Sequence, residues 1–183
     1  MPPNGREAAV MPEWLAAFID AGGDTLWAIL AVTVILWTLI LERLWFYARV
    51  FPRHRDTWVA EWRERRDRSS WRARAIRRQN ISQADLELRA GVRAIRTLIA
   101  VCPLLGLLGT VTGMIQVFDV MALEGTGDAR AMASGVSRAT IPTMAGMVVA
   151  LSGLYFGTRL PQRARLEVRR LADRLDIREA EAA

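Results

Sequence analysis

The sequence predicts an all-α integral membrane protein with three transmembrane helices and long cytoplasmic helical extensions. Apolar residues make up 52% of the 183-residue chain, and they fall into three long blocks. Each block can cross a bilayer, whose apolar core takes about 20 helical residues. All 25 basic residues are arginines, which concentrate between and after the blocks. The apolar fraction excludes a disordered chain, and the single cysteine, Cys102, excludes a disulfide-stapled domain.

The uncharged runs place the elements in order. Residues 25–41 carry no charge, and the block continues as apolar to residue 48 after Glu42 and Arg43. Residues 97–118 and 139–158 are also uncharged, and the third block extends back to residue 131 except for Arg138. Uncharged runs of this length favour membrane spans over buried helices of a soluble protein. We expect transmembrane helices at 25–48, 97–118 and 131–160, separated by an Arg-rich helical segment at 49–96 and a loop at 119–130, with an N-terminal segment at 1–24 and a helical tail at 161–183.

The distribution of arginine predicts the orientation. Residues 1–24 carry one Arg and four acids, which is the reverse of the positive start of a signal peptide. The 49–96 segment carries 14 Arg against six acids, and seven Arg follow the third block. Positively charged segments stay in the cytoplasm. The N-terminus and the 119–130 loop are therefore expected in the periplasm, and the 49–96 segment and the tail in the cytoplasm.

The 49–96 segment has the composition of solvated helices. Glu61 and Glu64 stand four residues before Arg65 and Arg68, a spacing that favours ion pairs on a helix. Ser82 is the expected cap of a further helix start. His54 has no partner in sequence and is expected to be solvated. Arginines beside a span attract anionic lipid headgroups, and we favour this interpretation over nucleic-acid binding, which an Arg- and Trp-rich segment also permits.

The second block has a small and polar face opposite a leucine-rich one. At 100° per residue, one arc of about 160° contains the glycines and the polar side chains. In lipid this arc faces another helix or a wet cavity, and the two interpretations are compatible. Its members are Gly106, Gly109, Thr110, Thr112, Gly113 and Gln116.

The third block is more polar in its first half. Ser137, Thr140 and Thr143 lie within about 120° of one another on a helix. Pro142 frees a backbone carbonyl that threonine side chains can compensate. Arg138 either snorkels to the outer interface or faces a cavity and sets its electrostatics. Further along, we expect close helix contacts at Gly146, Gly153 and Gly157.

The second and third blocks, over 97–118 and 139–158, contain no Asp, Glu, His or Lys. A proton pathway through them would need a carboxylate from a partner. No metal-ligand spacing, nucleophile motif or phosphate loop is present, so we expect neither an enzyme nor a bound cofactor or metal.

Two motifs carry a family resemblance that covers about residues 20 to 175. Residues 102–114 (CPLLGLLGTVTGM) resemble the second-span motif of the MotA/TolQ/ExbB proton-channel family, and residues 135–147 (GVSRATIPTMAGM) resemble its third-span motif. The Glu42-Arg43-Leu44 ending of the first block is similar too. The chain looks closest to the short ExbB branch that serves TonB systems.

The resemblance implies a homopentamer in the bacterial inner membrane. Inside its pore sit single-span ExbD-like partners, whose Asp accepts protons, and proton flow energises a TonB-like protein for outer-membrane import of iron chelates and vitamin B12. Thr110 and Thr143 match the pore threonines. Arg138 stands where many members have a glutamate, so a carboxylate role at this position is not carried over. A TolQ-like role in envelope integrity and division, and a non-conducting membrane scaffold, are the alternatives.

Overall fold

A computed structural model describes residues 13–68, 70–124 and 129–175, and side chains from residue 23 onward except at 123–124 and 129–131. Over these residues the chain forms helices joined by short turns and contains no strand, as the sequence predicts. Parts of the predicted terminal segments and of the 119–130 loop lie outside this range. The helices are α1 (Glu13–Trp45), α2 (Phe51–Glu64), α3 (Trp71–Arg89), α4 (Val92–Glu124) and α5 (Ala129–Arg174), with a π-helical turn at Phe46–Val50.

The first predicted span lies in α1 and the π-helical turn. Gly23 interrupts α1 with φ 63° and ψ −164°, a left-handed conformation that glycine adopts without steric cost. The span expected from residue 25 therefore begins directly after this break. Trp45 and Phe51, which flank the π-helical turn, both have helical φ and ψ, so the backbone continues without a loop from α1 into α2.

The turn between α2 and α3 differs from the expectation. Ser70 caps α3 by accepting a hydrogen bond from the amide of Ala73 at 3.2 Å. The predicted helix start at Ser82 is wrong, since α3 runs through it: a cap signal inside a longer helical sequence does not break the helix. The expected ion pairs of Glu61 and Glu64 do not form, because α2 ends at Glu64 and Arg68 instead donates to the carbonyls of Arg63 and Arg65.

Three helical stretches of the described chain are long and apolar enough to span a membrane. They are Gly23–Glu64, Trp71–Ala122 and Met132–Arg174. Within the most apolar window of each, only 22% of the residues are buried by the rest of the chain. Core helices of a soluble protein would be mostly buried, so these faces require lipid or neighbouring chains. The expected continuation of the third span into the tail is also observed, because α5 has 46 residues without a break.

The helices form two compact units. The first unit contains the described residues up to Ile35 together with Leu98–Ser152. The second contains Leu36–Thr97 together with the described residues from Gly153. In the second unit a hydrophobic core links α2, α3 and α5, and its largest members include Phe51, Trp62, Leu88 and Leu171. This core holds the helices outside the most apolar stretches in a packed bundle.

Side chains that donate to backbone carbonyls add a second kind of contact within this unit. The guanidinium of Arg77 donates to the carbonyls of Ala172 and Leu175, at 2.9 and 2.7 Å, where α5 ends. Arg43 donates to the carbonyl of Glu87 at 3.3 Å, in the last turn of α3. The last carbonyls of a helix have no intrahelical partner and carry partial negative charge. A planar guanidinium with several N–H groups satisfies them well.

Arg96 makes a related contact within α5. Its Nε donates to the carbonyl of Gly157 at 3.2 Å. Pro161 stands four residues after Gly157 and has no N–H, so this carbonyl lacks its usual helical donor. The guanidinium supplies the donor that proline removes.

His54, expected to be solvated, is about half exposed and lies 3.3 Å from the carboxylate of Glu87.

Candidate functional site

The candidate site is the contact between α4 and α5 in the first unit. Its contacts run in opposite directions along the two helices: Cys102 is opposite Gly146, Gly109 opposite Pro142, and Gly113 opposite Ala139. The helices are therefore antiparallel here. The glycines of the predicted small face of α4 point toward α5, while the leucine-rich face, including Leu107 and Leu108, is exposed.

Backbone-to-backbone proximity requires glycine at several of these positions. A Cβ atom on Gly109 would lie 2.5 Å from Cβ of Pro142, and one on Gly146 would lie 2.5 Å from the carbonyl oxygen of Cys102. One on Gly113 would lie 2.7 Å from Cβ of Ala139. All are far below a normal carbon contact of about 3.5 Å. The absence of side chains at these glycines allows the close approach typical of helices packed in membranes.

Thr143 bridges the two helices. Its hydroxyl donates to the carbonyl of Gly106 at 2.8 Å. A Cβ on Gly106 would lie 2.9 Å from Cα of Thr143, so the glycine brings the carbonyl within reach. Thr143 is half-buried, and Pro142 next to it is fully buried. The hydroxyl-bearing first half of the predicted third span is thus anchored to α4 by the Thr143 hydroxyl.

The other threonines of the site bond to their own helices. Thr110 donates to the carbonyl of Leu107 at 2.7 Å, and Thr140 donates to that of Ser137 at 2.8 Å. Thr112 donates to the carbonyls of Leu108 and Gly109. A hydroxyl has one proton to donate and two lone pairs that accept. These threonines therefore present acceptor oxygens to their surroundings while their protons are held by the backbone.

The remaining predicted site residues lie apart from this contact. Ser137, Arg138 and Gln116 are exposed. The side chain of Arg138 makes no hydrogen bond or ion pair with any other part of the described chain. Gly153 and Gly157 are buried in the second unit, where the carbonyl of Gly157 accepts from Arg96. The structure brings together Gly106, Gly109, Gly113, Thr143 and Gly146.

Sequence patterns alone missed the first helix at this site. Leu26 and Ile29 of α1 are buried, and Leu105 and Ala145 pack against them. Thr25 of the same helix also lies close to α4, because a Cβ on Gly109 would be 3.1 Å from its Cγ2. The apolar character of residues 25–41 indicated a span but not the partner face. The site is therefore a three-helix contact with one interhelical hydroxyl bond. The described residues contain no acidic or histidine side chain in it.

Comparison with known proteins gives partial matches to curated relatives. The chain is 47% identical over 70 residues to a protein of Synechocystis sp. named ExbB-like 1 for biopolymer transport, covering 37% of this chain and 28% of that protein. It is 40% identical over 81 residues to the ExbB-like 3 protein of the same organism, covering 43% and 39%. A biopolymer transport ExbB homolog of Methanothermobacter thermautotrophicus is 44% identical over 61 residues, covering 33% and 21%. The matches thus span well under half the length of each relative.

No solved structure matches the chain. The family model described as the MotA/TolQ/ExbB proton channel family matches residues 51–173, which is about two thirds of the sequence. That match includes both spanning motifs and the helices between the first and second spans. The family is one of channels and transport subunits, and nothing in the comparisons points to catalysis. This chain is a multi-pass membrane protein that belongs to the MotA/TolQ/ExbB proton channel family.

Proposed function

We propose that the chain is an ExbB-like subunit of an inner-membrane, proton-driven motor that energises TonB-dependent import of iron chelates and vitamin B12 across the outer membrane. Membership in the proton channel family and the ExbB-like relatives support the proposal. The observation that carries it is the Thr143 hydroxyl bond to Gly106, which fixes a hydroxyl-rich part of α5 against α4.

In this proposal the proton pathway uses uncharged acceptors. Water molecules and a protonated carboxyl group both have O–H donors for the exposed lone pairs of the threonines. An ionised carboxylate has none, and it would meet hydroxyls whose protons are already bonded. The threonine part of the pathway therefore favours the neutral form of a carboxyl group as it passes, which couples its protonation to movement. The uncharged residues assigned to the pathway are Thr110, Thr112, Gln116, Ser137, Thr140 and Thr143, and the charged Arg138 is assigned to its outer end.

The carboxylate has to come from another chain. The described parts of α4 and α5 hold no acidic residue between Arg96 and Asp119 or between Arg138 and Arg159. We assign this role to an ExbD-like single-span partner inside a pentamer of the chain, with a TonB-like protein receiving the output. A ring of exposed Arg138 side chains near the outer end would attract that carboxylate, whereas snorkelling to the interface would leave the pathway unaffected.

The proposed orientation places the N-terminus in the periplasm and the Arg-rich segments in the cytoplasm. The carbonyl contacts of Arg43, Arg68, Arg77 and Arg96 support a structural use of the basic residues rather than nucleic-acid binding. The arginines that remain free at the membrane surface are assigned to anionic lipid headgroups.

Substitution of Thr143 tests the proposal. Thr143→Ala removes the hydroxyl and should abolish energised uptake and proton flux while leaving assembly intact, and Thr143→Ser should retain both. The matched control is Thr158→Ala, because among the described residues the Thr158 hydroxyl bonds only to carbonyls of its own helix, at Leu154 and Tyr155. Uptake is measured in cells and flux in vesicles that contain the chain and its ExbD-like partner. Normal uptake by the Thr143→Ala variant would exclude the assigned role.

The alternatives give different phenotypes. Loss of the chain should limit growth at low iron if it serves a TonB system. Detergent sensitivity and chained cells would instead indicate the TolQ-like role. A non-conducting scaffold predicts no proton flux even when the partner is present, and Thr143→Ala would then change stability without changing flux.

A further inference from the structure

A cavity of about 270 Å³ lies within the second unit. Its walls are Tyr47 and one face of α5 formed by Arg163, Leu166, Glu167 and Arg170. The α5 residues follow the spacing of a single helical face. The volume lies below the usual range for small-molecule pockets of about 300 to 1,000 Å³, and it suits a compact group such as a headgroup.

The charges in this cavity do not balance. Oε1 of Glu167 accepts from Arg170 at 2.6 Å, and Oε2 accepts from Arg55 at 3.5 Å. Its carboxylate is therefore engaged by two guanidiniums. The side chain of Arg163 is exposed, and its guanidinium has no hydrogen bond or ion pair with another residue in the described part of the chain. The cavity thus holds an unpaired guanidinium, the group best suited to bind a phosphate through two parallel hydrogen bonds.

The other walls are partly apolar. Leu166 is 51% exposed. The hydroxyl of Tyr47 donates to the carbonyl of Leu88 at 2.5 Å, so its ring forms a fixed wall. A cation beside exposed apolar surface suits a ligand that is anionic at one end and apolar at the other. Tyr47 is one residue from the end of the predicted first span, which is residue 48, and Arg163 lies three residues after the predicted third span. Both residues are thus near the end of a predicted span.

We infer that this cavity binds the phosphate of an anionic phospholipid, with Arg163 as its main ligand. The inference rests on the orientation given in the proposed function, which puts these residues at the cytoplasmic boundary of the membrane. Phospholipid is favoured over soluble phosphate because Leu166 is left exposed beside the cation, where an acyl chain would cover it.

Binding of fluorescent phosphatidylglycerol to the full-length chain in detergent micelles tests the inference. Arg163→Gln should weaken binding about five-fold, as expected for one arginine near a lipid surface. The matched control is Arg165→Gln, since Arg165 is also exposed and unpaired among the described residues but points about 150° away from the cavity face. Unlabelled phosphatidylglycerol should displace the probe, and phosphatidylcholine should not.

Two outcomes would overturn the inference. Equal weakening by Arg163→Gln and Arg165→Gln would indicate general attraction to the basic helix. Displacement by glycerol 3-phosphate as effective as that by phosphatidylglycerol would indicate a site for soluble phosphate. The assay needs neither the ExbD-like partner nor proton flux, so its failure and a failure of the Thr143 experiment are distinguishable.

Discussion

Replacing Gly109 by alanine should separate α4 from α5. The added methyl group would lie 2.5 Å from Cβ and 2.8 Å from Cγ of Pro142, and 3.1 Å from Cγ2 of Thr25. Carbon atoms normally approach to about 3.5–4.0 Å. Pro142 is a rigid ring and is fully buried, so it has no alternative rotamer that would make room. The backbones themselves have to move apart by about 1 Å.

The cost follows from the contacts that such a movement weakens. Each pair of contacting atoms contributes an attraction of about 0.1–0.2 kcal/mol, and a gap of this size removes a quarter to a half of that attraction. Over roughly thirty pairs along the interface the loss is about 1–3 kcal/mol. This agrees with the 1–3 kcal/mol typical of an overpacked core. The Thr143 bond to Gly106 lies one turn away and should lengthen as well.

The free energy of unfolding in detergent micelles, followed by circular dichroism, measures this change. The same substitution at Gly135 is the matched control. A Cβ there meets Cγ2 of Val117 at 2.5 Å, but every other atom near it is at 3.6 Å or more, so the shift of one side chain relieves this contact without separating the backbones. Gly109→Ala should therefore cost clearly more than Gly135→Ala. An equal cost at the two glycines, or none at Gly109, would refute the reasoning from close backbone approach.

Two further predictions concern contacts between distant parts of the chain. Gly135→Ala should be rescued by Val117→Ala, because the next nearest atom, Cβ of Val117, lies at an ordinary 3.6 Å; a double-mutant cycle measures the rescue, and additive losses would place the two residues apart. Arg96→Met should cost about 1.5–3 kcal/mol, as for other hydrogen bonds of a charged donor, because methionine has no N–H and leaves the Gly157 carbonyl without a donor. In a Pro161→Ala background the helix supplies its own N–H to that carbonyl, so Arg96→Met should cost much less; the same loss in both backgrounds would contradict this account of the contact.

Several features of the fold could be predicted because their causes are local. An uncharged run of sufficient length has a low free energy in lipid whatever surrounds it. The division of α4 into a glycine face and a leucine face depends only on helical geometry. The glycine face does point at α5, as close packing requires. By contrast, the cap signal at Ser82 failed because a local preference worth about 1 kcal/mol yields to the packing of a whole helix.

The candidate site could be predicted only in part. The motifs named Thr110 and Thr143 together, but the structure gives them different partners: Thr110 bonds within α4, and Thr143 bonds across to Gly106. Sequence spacing cannot distinguish these, because a threonine hydroxyl on any helix can reach the carbonyl three or four residues before it. Only the approach of α5 to Gly106 decides which carbonyl is nearer. Pro161 offered a signal for the Arg96 contact, since a proline frees the carbonyl four residues before it.

The sequence by itself determined that three helices are long and apolar enough to cross a membrane and that the two later ones carry small faces without an acid. Hydropathy and periodicity are properties of neighbouring residues, so no tertiary information is needed to recognise them. The tertiary structure alone decided how the arginines are used. Arg77 reaches a carbonyl 98 residues away, Arg96 one 61 residues away, and Arg163 none in the described chain. The three side chains are chemically identical. Arg77 lies opposite a helix end and caps it, and Arg96 lies opposite a carbonyl freed by a proline. Arg163 has neither opposite it and is left free for a ligand, as we infer.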